Sequence, residues 1–353
     1  MAMPYILPDA AHFPPARRHP RAGEIHAEIE AYFTDAWPWQ SSEKLSKSLL
    51  LDFASFATCT IPDAAYDRLR WASKVYTLLY LVDDLVESES GAVFTALSKV
   101  TQESLPWQNI METIFCGIEA SSNGDQYPRF VRTLGEWLIN SVGGQAPPYT
   151  DLQGYLDFRR INAAGYWVIS TTRYALDLRL TDEELADPEL MMCEKLCVDA
   201  CALENDVASY DKELASESPS PNIVAILLKH GSEGDGFVSV AAVKEYIGQE
   251  VAKIEAQLHD CLEDALNNKR QSDDYRKWLQ SLPYIVSGNV WLSQQTMRYN
   301  LPGSAGAPEA SRLSATDPRV DIVRRALPTC SHITPGTKAD APGFLEMSLE
   351  RLD

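Results

Sequence analysis

Apolar residues return at helical spacing over most of this chain, and that periodicity limits its fold more than any other feature. No good run of alternating strand pattern occurs, and no hairpin dipeptide stands between apolar runs. Helix-start signals such as Pro62-Asp63 and Thr181-Asp-Glu-Glu fit the same interpretation. The sequence therefore predicts an all-α protein. The predicted helices lie near 24–36, 42–58, 62–88, 92–101, 106–121, 127–142, 150–177, 181–214, 220–231, 237–269 and 272–300.

Composition changes at both ends of this helical region. The first 22 residues hold five prolines and predict an extended N-terminal arm over 1–22. After Asn300 the chain is rich in Gly, Pro and small residues, which predicts a flexible C-terminal tail over 301–353. Residues 23–300 are predicted to form one large helical domain, because a cut within them would separate the motifs described next.

The charge balance excludes several classes of partner. Acidic residues outnumber basic ones by 50 to 31, giving a formal charge of -19. Such a field repels phosphate backbones and anionic membranes, so we expect no nucleic-acid partner.

The expected location follows from other features of the sequence. The apolar runs are too short to span a bilayer, and the start lacks the order of a secretory signal. Seven cysteines without C-x-x-C pairs favour reduced thiols and a cytoplasmic location.

The first chemical motif is a cluster of carboxylates at the end of an apolar helix. Asp83 and Glu87 are four residues apart on one helix face, and Asp84 lies beside them. Clustered like charges repel one another unless they are solvated or neutralised. The motif is therefore either a solvated helix end or a site for a hard divalent cation such as Mg²⁺.

The second motif places three different oxygen donors along one helix stripe. Asn205, Ser209 and Glu213 are spaced four residues apart, and they offer an amide oxygen, a hydroxyl and a carboxylate. Asn and Ser are mediocre in a helix interior, so their placement favours metal ligation. The same stripe continues through three cysteines that we interpret as apolar packing residues rather than zinc ligands, at 193, 197 and 201.

Basic side chains supply the third element. They are Arg159-Arg160, Lys212, and Arg298-Tyr299 at the end of a predicted helix. Taken singly, each is explained as well by a surface or salt-bridge role. Arginine is nevertheless the natural partner of phosphate, because its planar fork makes bidentate hydrogen bonds. Two acidic helices facing each other could hold several Mg²⁺ ions and, with these bases, clamp a diphosphate at the mouth of an apolar cavity.

Together these residues resemble a class I terpene synthase of the fungal and bacterial single-domain type. The family's D-D-x-x-D/E motif is matched at 83–87, and its N-D-x-x-S-x-x-x-E triad at 205–213, with Lys212 before the Glu and an R-Y pair at 298–299. The diphosphate-sensing arginine stands about 46 residues before the triad, which fits Arg159, with Arg160 as its rival. The linker and effector positions that follow are Asn162 and Ala163. A tryptophan six residues before R-Y is replaced by Leu292, next to Trp291.

The resemblance implies a helical bundle around an apolar cavity, with three Mg²⁺ ions at the rim. Asp83 would be the main metal ligand, Asp84 and Glu87 would support it, and the triad would hold the third ion. Diphosphate would be bound by Arg159, Lys212, Arg298 and Tyr299. The residues expected to act in catalysis are Asp83, Arg159, Asn205, Arg298 and Tyr299. The cavity-lining candidates, each equally explained as packing, are Phe53, Tyr76, Leu79, Tyr80, Asn162, Trp167, Asn289, Trp291 and Leu292.

The expected reaction is ionisation and cyclisation of farnesyl diphosphate to a sesquiterpene, with a humulene-type 1,11-closure among the open outcomes. Three alternatives remain: a diterpene synthase using geranylgeranyl diphosphate, a chain-elongating prenyltransferase, and a silent helical scaffold. The prenyltransferase would need a second D-D-x-x-D, which is absent from the sequence. The family also leads us to expect a homodimer and a rim loop that closes, for which the segment 214–221 is the candidate.

Overall fold

The structure is a computed structural model, and it describes residues 9–39, 41–42, 45, 53–88, 108–141, 148–214, 221–231, 237, 239–267, 271–296 and 298–299. Over these residues the secondary structure is helical, with turns between the helices and no strand. The predicted all-α fold is confirmed. Four predictions lie wholly or largely outside the described residues: the first part of the helix at 42–58, the helix at 92–101, the lid candidate at 214–221 and the tail at 301–353.

Most predicted helices are found within a few residues of their predicted bounds. In chain order the helices are α1 Ala22–Ala36, α2 Ala54–Thr60, α3 Tyr66–Ser88, α4 Gln108–Ser121, α5 Gln126–Ser141, α6 Leu152–Asn162, α7 Gly165–Ala175, α8 Asp182–Leu185, α9 Pro188–Leu214, α10 Ile223–Gly231, α11 Val240–Asn267 and α12 Asp273–Gln295.

Two of the predicted long helices are wrong as single helices. The helix predicted over 150–177 is broken at Ala164, whose φ of 60° is left-handed. The helix predicted over 181–214 is broken before Pro188, which lacks an N–H and therefore suits the first position of α9. The two breaks lie immediately before α7 and α9, and both of these helices carry candidate site residues.

A third correction concerns the end of α12. The helix was predicted to run to 300 and to include the R-Y pair, but it ends at Gln295 and Thr296 is extended. Arg298 and Tyr299 therefore follow the helix in a turn. Trp291, seven residues before Arg298, therefore does not lie on one helix with it.

The long helix α9 organises the packing. It packs against α11 and α12, and more lightly against α6, α7 and α10. Helix α12 in turn packs closely on α2, where a Cβ at Gly288 would lie 2.8 Å from the Cys59 backbone. The side of α9 that faces α6 and α10 is covered by a smaller apolar cluster that includes Leu203, Val207 and Ile223. Buried on most sides, α9 is a rigid support for the residues at its end.

The N-terminal segment before α1 packs on the helices. Phe13 belongs to the core, the His19 N–H donates to the Thr58 carbonyl (2.8 Å), and Arg17 pairs with Asp63. Within the described part of the chain, none of the helices combines the length and hydropathy that a membrane span requires.

Candidate functional site

The oxygen-donor stripe of α9 lies at a buried junction of α6, α9, α10 and the turn after α12. Asn205 accepts a hydrogen bond from Arg159 Nη2 (3.2 Å) through its amide oxygen. Its Nδ2 donates to the Tyr299 hydroxyl (2.9 Å). At the other end of the stripe, Glu213 Oε2 accepts from Asn222 Nδ2 (2.8 Å). Three of the predicted site residues, Asn205, Arg159 and Tyr299, are therefore in direct contact.

Arg159 is held by an acid that stands inside the same motif. Its guanidinium lies 2.8 Å from Asp206 Oδ1, and both side chains are almost wholly buried. Burial alone would lower the pKa of Arg159, but the charge of Asp206 raises it. Burial also raises the pKa of Asp206, against the opposing effect of Arg159. The Tyr155 hydroxyl donates to Asp206 Oδ2. We call Arg159, Asp206 and Tyr155 the Arg159 cluster.

Arg160, the rival sensor, points to a different part of α9. It pairs with Asp199 (2.5 Å, from Nε) and with Asp157 on its own helix. Lys195 adds a third basic contact to Asp199 at 3.4 Å. We call Arg160, Asp199 and Asp157 the Arg160 cluster. The geometry favours Arg159 as the arginine that faces the donor stripe.

The turn at 298–299 also contacts the helix that carries the first motif. The Arg298 guanidinium lies over the Tyr80 ring (5.1 Å to its centroid) and the Phe53 ring (5.5 Å). These two rings are stacked at 4.8 Å. Tyr80 lies on α3, one turn before the backbone position of Asp83. The Tyr299 hydroxyl accepts a hydrogen bond from Asn205 on α9, and the Arg298 guanidinium lies over the Tyr80 ring on α3. The turn therefore contacts both helices that carry the two motifs.

The carboxylates of the first motif have a described backbone only. Helix α3 runs through Asp83, Asp84 and Glu87, whose side chains lie outside what the structure describes. Lys212 is part-buried in the last turn of α9. The metal-binding and diphosphate-binding roles of these four residues stay predictions.

Several cavity-lining candidates pack between helices. The Tyr76 hydroxyl donates to the Val168 carbonyl (3.1 Å). Trp167 is buried against Trp137, with ring centroids 5.3 Å apart. Asn289 is buried and donates to Glu204 (2.7 Å). These contacts join α3, α5, α9 and α12 to their neighbours, and a cavity-lining role for these residues stays a prediction.

Of the other cavity-lining candidates, three pack away from the donor stripe and three lie beside Arg298 or Arg159. Trp291 is part-buried, near Arg18 of the N-terminal segment (6.0 Å to the ring centroid), and Leu292 is buried. Leu79 is part-buried against the core. Phe53 and Tyr80 lie under Arg298, at the site. Asn162 accepts from Arg159 Nη1 (2.8 Å), so the predicted linker position does contact the predicted sensor.

Sequence reasoning missed three residues of this junction. Asp206 and Tyr155 complete the Arg159 cluster, and Asn222 contacts Glu213. Asp206 was visible as the second letter of the triad motif, and Asn222 stood at a recognised helix start. Tyr155 carried no signal, because only the fold brings it within reach of α9.

The donor set fits a hard divalent cation. The Ser209 side chain is 2% exposed, and among the described residues its Oγ has no hydrogen-bond partner. A buried hydroxyl without a partner is costly unless something else binds it. It lies between an amide oxygen and a carboxylate on one stripe, and all three donors are of the type that Mg²⁺ prefers. No cluster of three His, Cys, Asp or Glu side chains that suits a metal occurs among the described residues.

Comparison with known proteins gives a family match and several relatives. The family model described as terpene synthase family 2, C-terminal metal binding, matches residues 74–253. The (+)-aristolochene synthase TS1 of Penicillium expansum is 26% identical over 80% of this chain and 88% of its own length. The aristolochene synthase of Aspergillus terreus is 24% identical over 80% and 91%. The crystal structure of aristolochene synthase from Penicillium roqueforti superposes with a TM-score of 0.66 at 21% identity, covering 80% of this chain and 99% of that one.

Proposed function

Because this chain belongs to terpene synthase family 2, with the metal-binding domain of that family, we propose that it ionises farnesyl diphosphate and cyclises it to a sesquiterpene, releasing diphosphate. The aristolochene synthases that resemble it over four-fifths of its length support a C15 substrate.

One observation carries the proposal: the donor stripe of α9, including the unpartnered Ser209 hydroxyl, lies beside Arg159 and Tyr299. The buried hydroxyls of Ser73, Thr77, Thr171 and Ser287 also lack a partner among the described residues, but none of these four stands between an amide oxygen and a carboxylate on one helix stripe, as the Ser209 hydroxyl does. A cation held by Asn205, Ser209 and Glu213 would supply that partner. The adjacent arginine and tyrosine could then bind an anion that the cation also binds.

The residues divide into a metal-binding group and a diphosphate-binding group. Asp83 with Asp84 and Glu87 on one side, and the triad on the other, would hold three Mg²⁺ ions. Bound there, Mg²⁺ would act as a Lewis acid that stabilises the negative charge of the departing diphosphate. Arg159, Lys212, Arg298 and Tyr299 would bind diphosphate oxygens and strengthen their contacts as charge moves onto them.

The aromatic residues next to Arg298 suit the cyclisation that would follow ionisation. Phe53 stacks on Tyr80, and Phe56 packs edge-on against Tyr80 and Tyr76. Aromatic faces stabilise nearby positive charge, and a site without water lets a carbocation rearrange before it is quenched. Arg298 lies over two of these rings, so a diphosphate bound by Arg298 would stand next to the aromatic residues.

Incubation with Mg²⁺ and farnesyl diphosphate, followed by gas chromatography and mass spectrometry of the extract, tests the proposal. We expect a volatile C15 hydrocarbon or alcohol together with inorganic diphosphate. Asn205→Ala should lower kcat/KM by about a thousandfold. Asn123→Ala, which removes an amide that bonds Asp177 away from the stripe, should leave it nearly unchanged.

Two results would overturn this function. One is the release of a longer prenyl diphosphate when isopentenyl diphosphate is added, which would indicate chain elongation. The other is full activity of Asn205→Ala, which would place the metal site elsewhere. Parallel assays with geranylgeranyl diphosphate show whether the enzyme prefers C15 or C20.

A further inference from the structure

Asn222 is a buried amide whose side chain makes three hydrogen bonds. It lies immediately before α10, and 3% of its surface is exposed. Its Oδ1 accepts from the Val224 N–H (2.9 Å), which caps the start of α10. Its Nδ2 donates to the Asp206 carbonyl (2.8 Å) and to Glu213 Oε2 (2.8 Å).

The cap explains only one of these three contacts. A helix N-cap needs one side-chain acceptor, and Ser, Thr and Asp supply it as well as Asn. The two N–H groups make contacts that those residues could not make together, one to the backbone of α9 and one to a carboxylate oxygen. An aspartate at 222 would instead place two carboxylates in contact, which repel one another.

The second contact reaches a residue of the donor stripe. Glu213 is the last member of that stripe and is itself buried. A ligand carboxylate keeps its orientation when a fixed donor bonds one of its oxygens, and such outer partners change metal affinity by about 10- to 100-fold. Asn222 is fixed in turn by the Asp206 carbonyl and by the N-terminus of α10.

We propose that Asn222 is a positioning residue for the metal site: its amide holds Glu213 in the orientation of a ligand and ties the start of α10 to α9. The inference rests on the proposed function, because Glu213 is a metal ligand only under that function. It adds a residue to the site that lies outside the triad and touches neither diphosphate nor metal itself.

Asn222→Asp is the most informative change, because it keeps the capping oxygen and removes both donors. We expect the Mg²⁺ concentration for half-maximal turnover to rise about tenfold or more. Calorimetric titration of the protein with Mg²⁺ and inorganic pyrophosphate, without substrate, should show the same weakening. Asn222→Ser, which keeps an uncharged cap, should shift both readouts in the same direction by a smaller factor.

Ser272→Ala is the matched capping control. Ser272 caps α12 by accepting from the Tyr275 N–H (3.1 Å), far from the donor stripe. The control should lower the unfolding temperature and leave the Mg²⁺ dependence unchanged. If Asn222→Asp and Asn222→Ser only lowered the unfolding temperature, as the control does, the proposal would be wrong. If the wild type itself neither turned over farnesyl diphosphate nor bound Mg²⁺ with pyrophosphate, the proposed function would fall instead.

Discussion

Two buried ion-pair clusters join α6 to α9, and neighbouring residues of α6 begin them. In the Arg159 cluster, the arginine bonds Asp206 and then reaches on to Asn205 in the donor stripe. In the Arg160 cluster, the arginine bonds Asp199 and Asp157, and the second of these is largely exposed. Both arginines are about 5% exposed, so burial does not distinguish them.

The difference is in what each cluster leads to. The Arg160 cluster pairs its arginine with two carboxylates, and its contacts run to the surface at Asp157. The Arg159 cluster leads to a stripe with an unpartnered buried hydroxyl and to Tyr299. A buried ion pair is weak evidence of function by itself. The Arg159 cluster indicates a site because its arginine contacts Asn205, which stands in a stripe of oxygen donors that includes an unpartnered hydroxyl.

The largest expected effect comes from exchanging the two arginines for glutamine. Arg159→Gln should lower kcat/KM for farnesyl diphosphate by about a thousandfold, because it removes a charged donor to the leaving group. Each exchange should cost about 3 kcal/mol of unfolding free energy, because Asp206 or Asp199 is left buried without its main partner, but Arg160→Gln should keep most of the activity. Steady-state kinetics and urea unfolding of both variants measure the contrast. Equal losses of activity would show that both clusters serve the site.

The next effect tests how the Arg159 cluster is held. Tyr155→Phe removes the hydroxyl that donates to Asp206 and should lower kcat/KM about thirtyfold, because the arginine loses its fixed orientation. Tyr174→Phe is the control, since its hydroxyl bonds Ser121 (2.6 Å) well away from α9. Both variants remove one buried hydroxyl. If the two lost the same activity, the effect of Tyr155 would be a general loss of stability.

The sequence was sufficient for the fold class and for the stripe, because both follow from helical spacing. Asn205, Ser209 and Glu213 recur every four residues, so any helix places them on one face. The break at Ala164 was not predicted, because alanine gives no sign of a left-handed backbone. Gly165 was the available signal: a Cβ there would lie 2.2 Å from the Val198 side chain, so α7 needs glycine where it meets α9.

The partners of the stripe could not be predicted, since they depend on tertiary packing. Tyr155 and Asp206 are 51 residues apart, and nothing local joins them. The spacing of the family that the sequence resembles fitted Arg159 and left Arg160 as its rival, and the contacts of the two arginines favour Arg159 as the one that faces the stripe. The turn at 298–299 was misplaced within a helix, because the end of α12 at Gln295 carries neither Gly nor Pro.

A smaller effect concerns a buried pair of carboxyl groups, Glu204 on α9 and Glu255 on α11. Burial raises the pKa of Glu255 to about 7 and that of its neighbour Glu204 to about 8. The folded state then binds more protons than the unfolded state between about pH 5 and pH 8, so stability falls as pH rises through this window. Glu255→Gln should remove about 1.4 kcal/mol of the loss between about pH 6 and pH 8.5.

Urea unfolding at the two pH values measures that change. Glu263→Gln, on the same helix but with a mostly exposed side chain, is the control and should follow the wild type. A Glu255→Gln protein with the wild-type pH dependence would show that this carboxyl is ionised in the folded state at pH 6. Glu255 would then be a buried carboxylate that stays charged, as the aspartates of the two arginine clusters are.

The smallest effect comes from Lys195, the outer partner of the Arg160 cluster. Its Nζ lies 3.4 Å from Asp199, one turn away on α9, and its side chain is about a third exposed. Lys195→Met should change the free energy of unfolding by about 0.5 kcal/mol, because the arginine already neutralises Asp199 and solvent screens the lysine. Turnover should stay at the wild-type value. A marked loss of turnover, with stability intact, would mean that charge near Asp199 reaches the donor stripe, and the two clusters would then have to be treated as one.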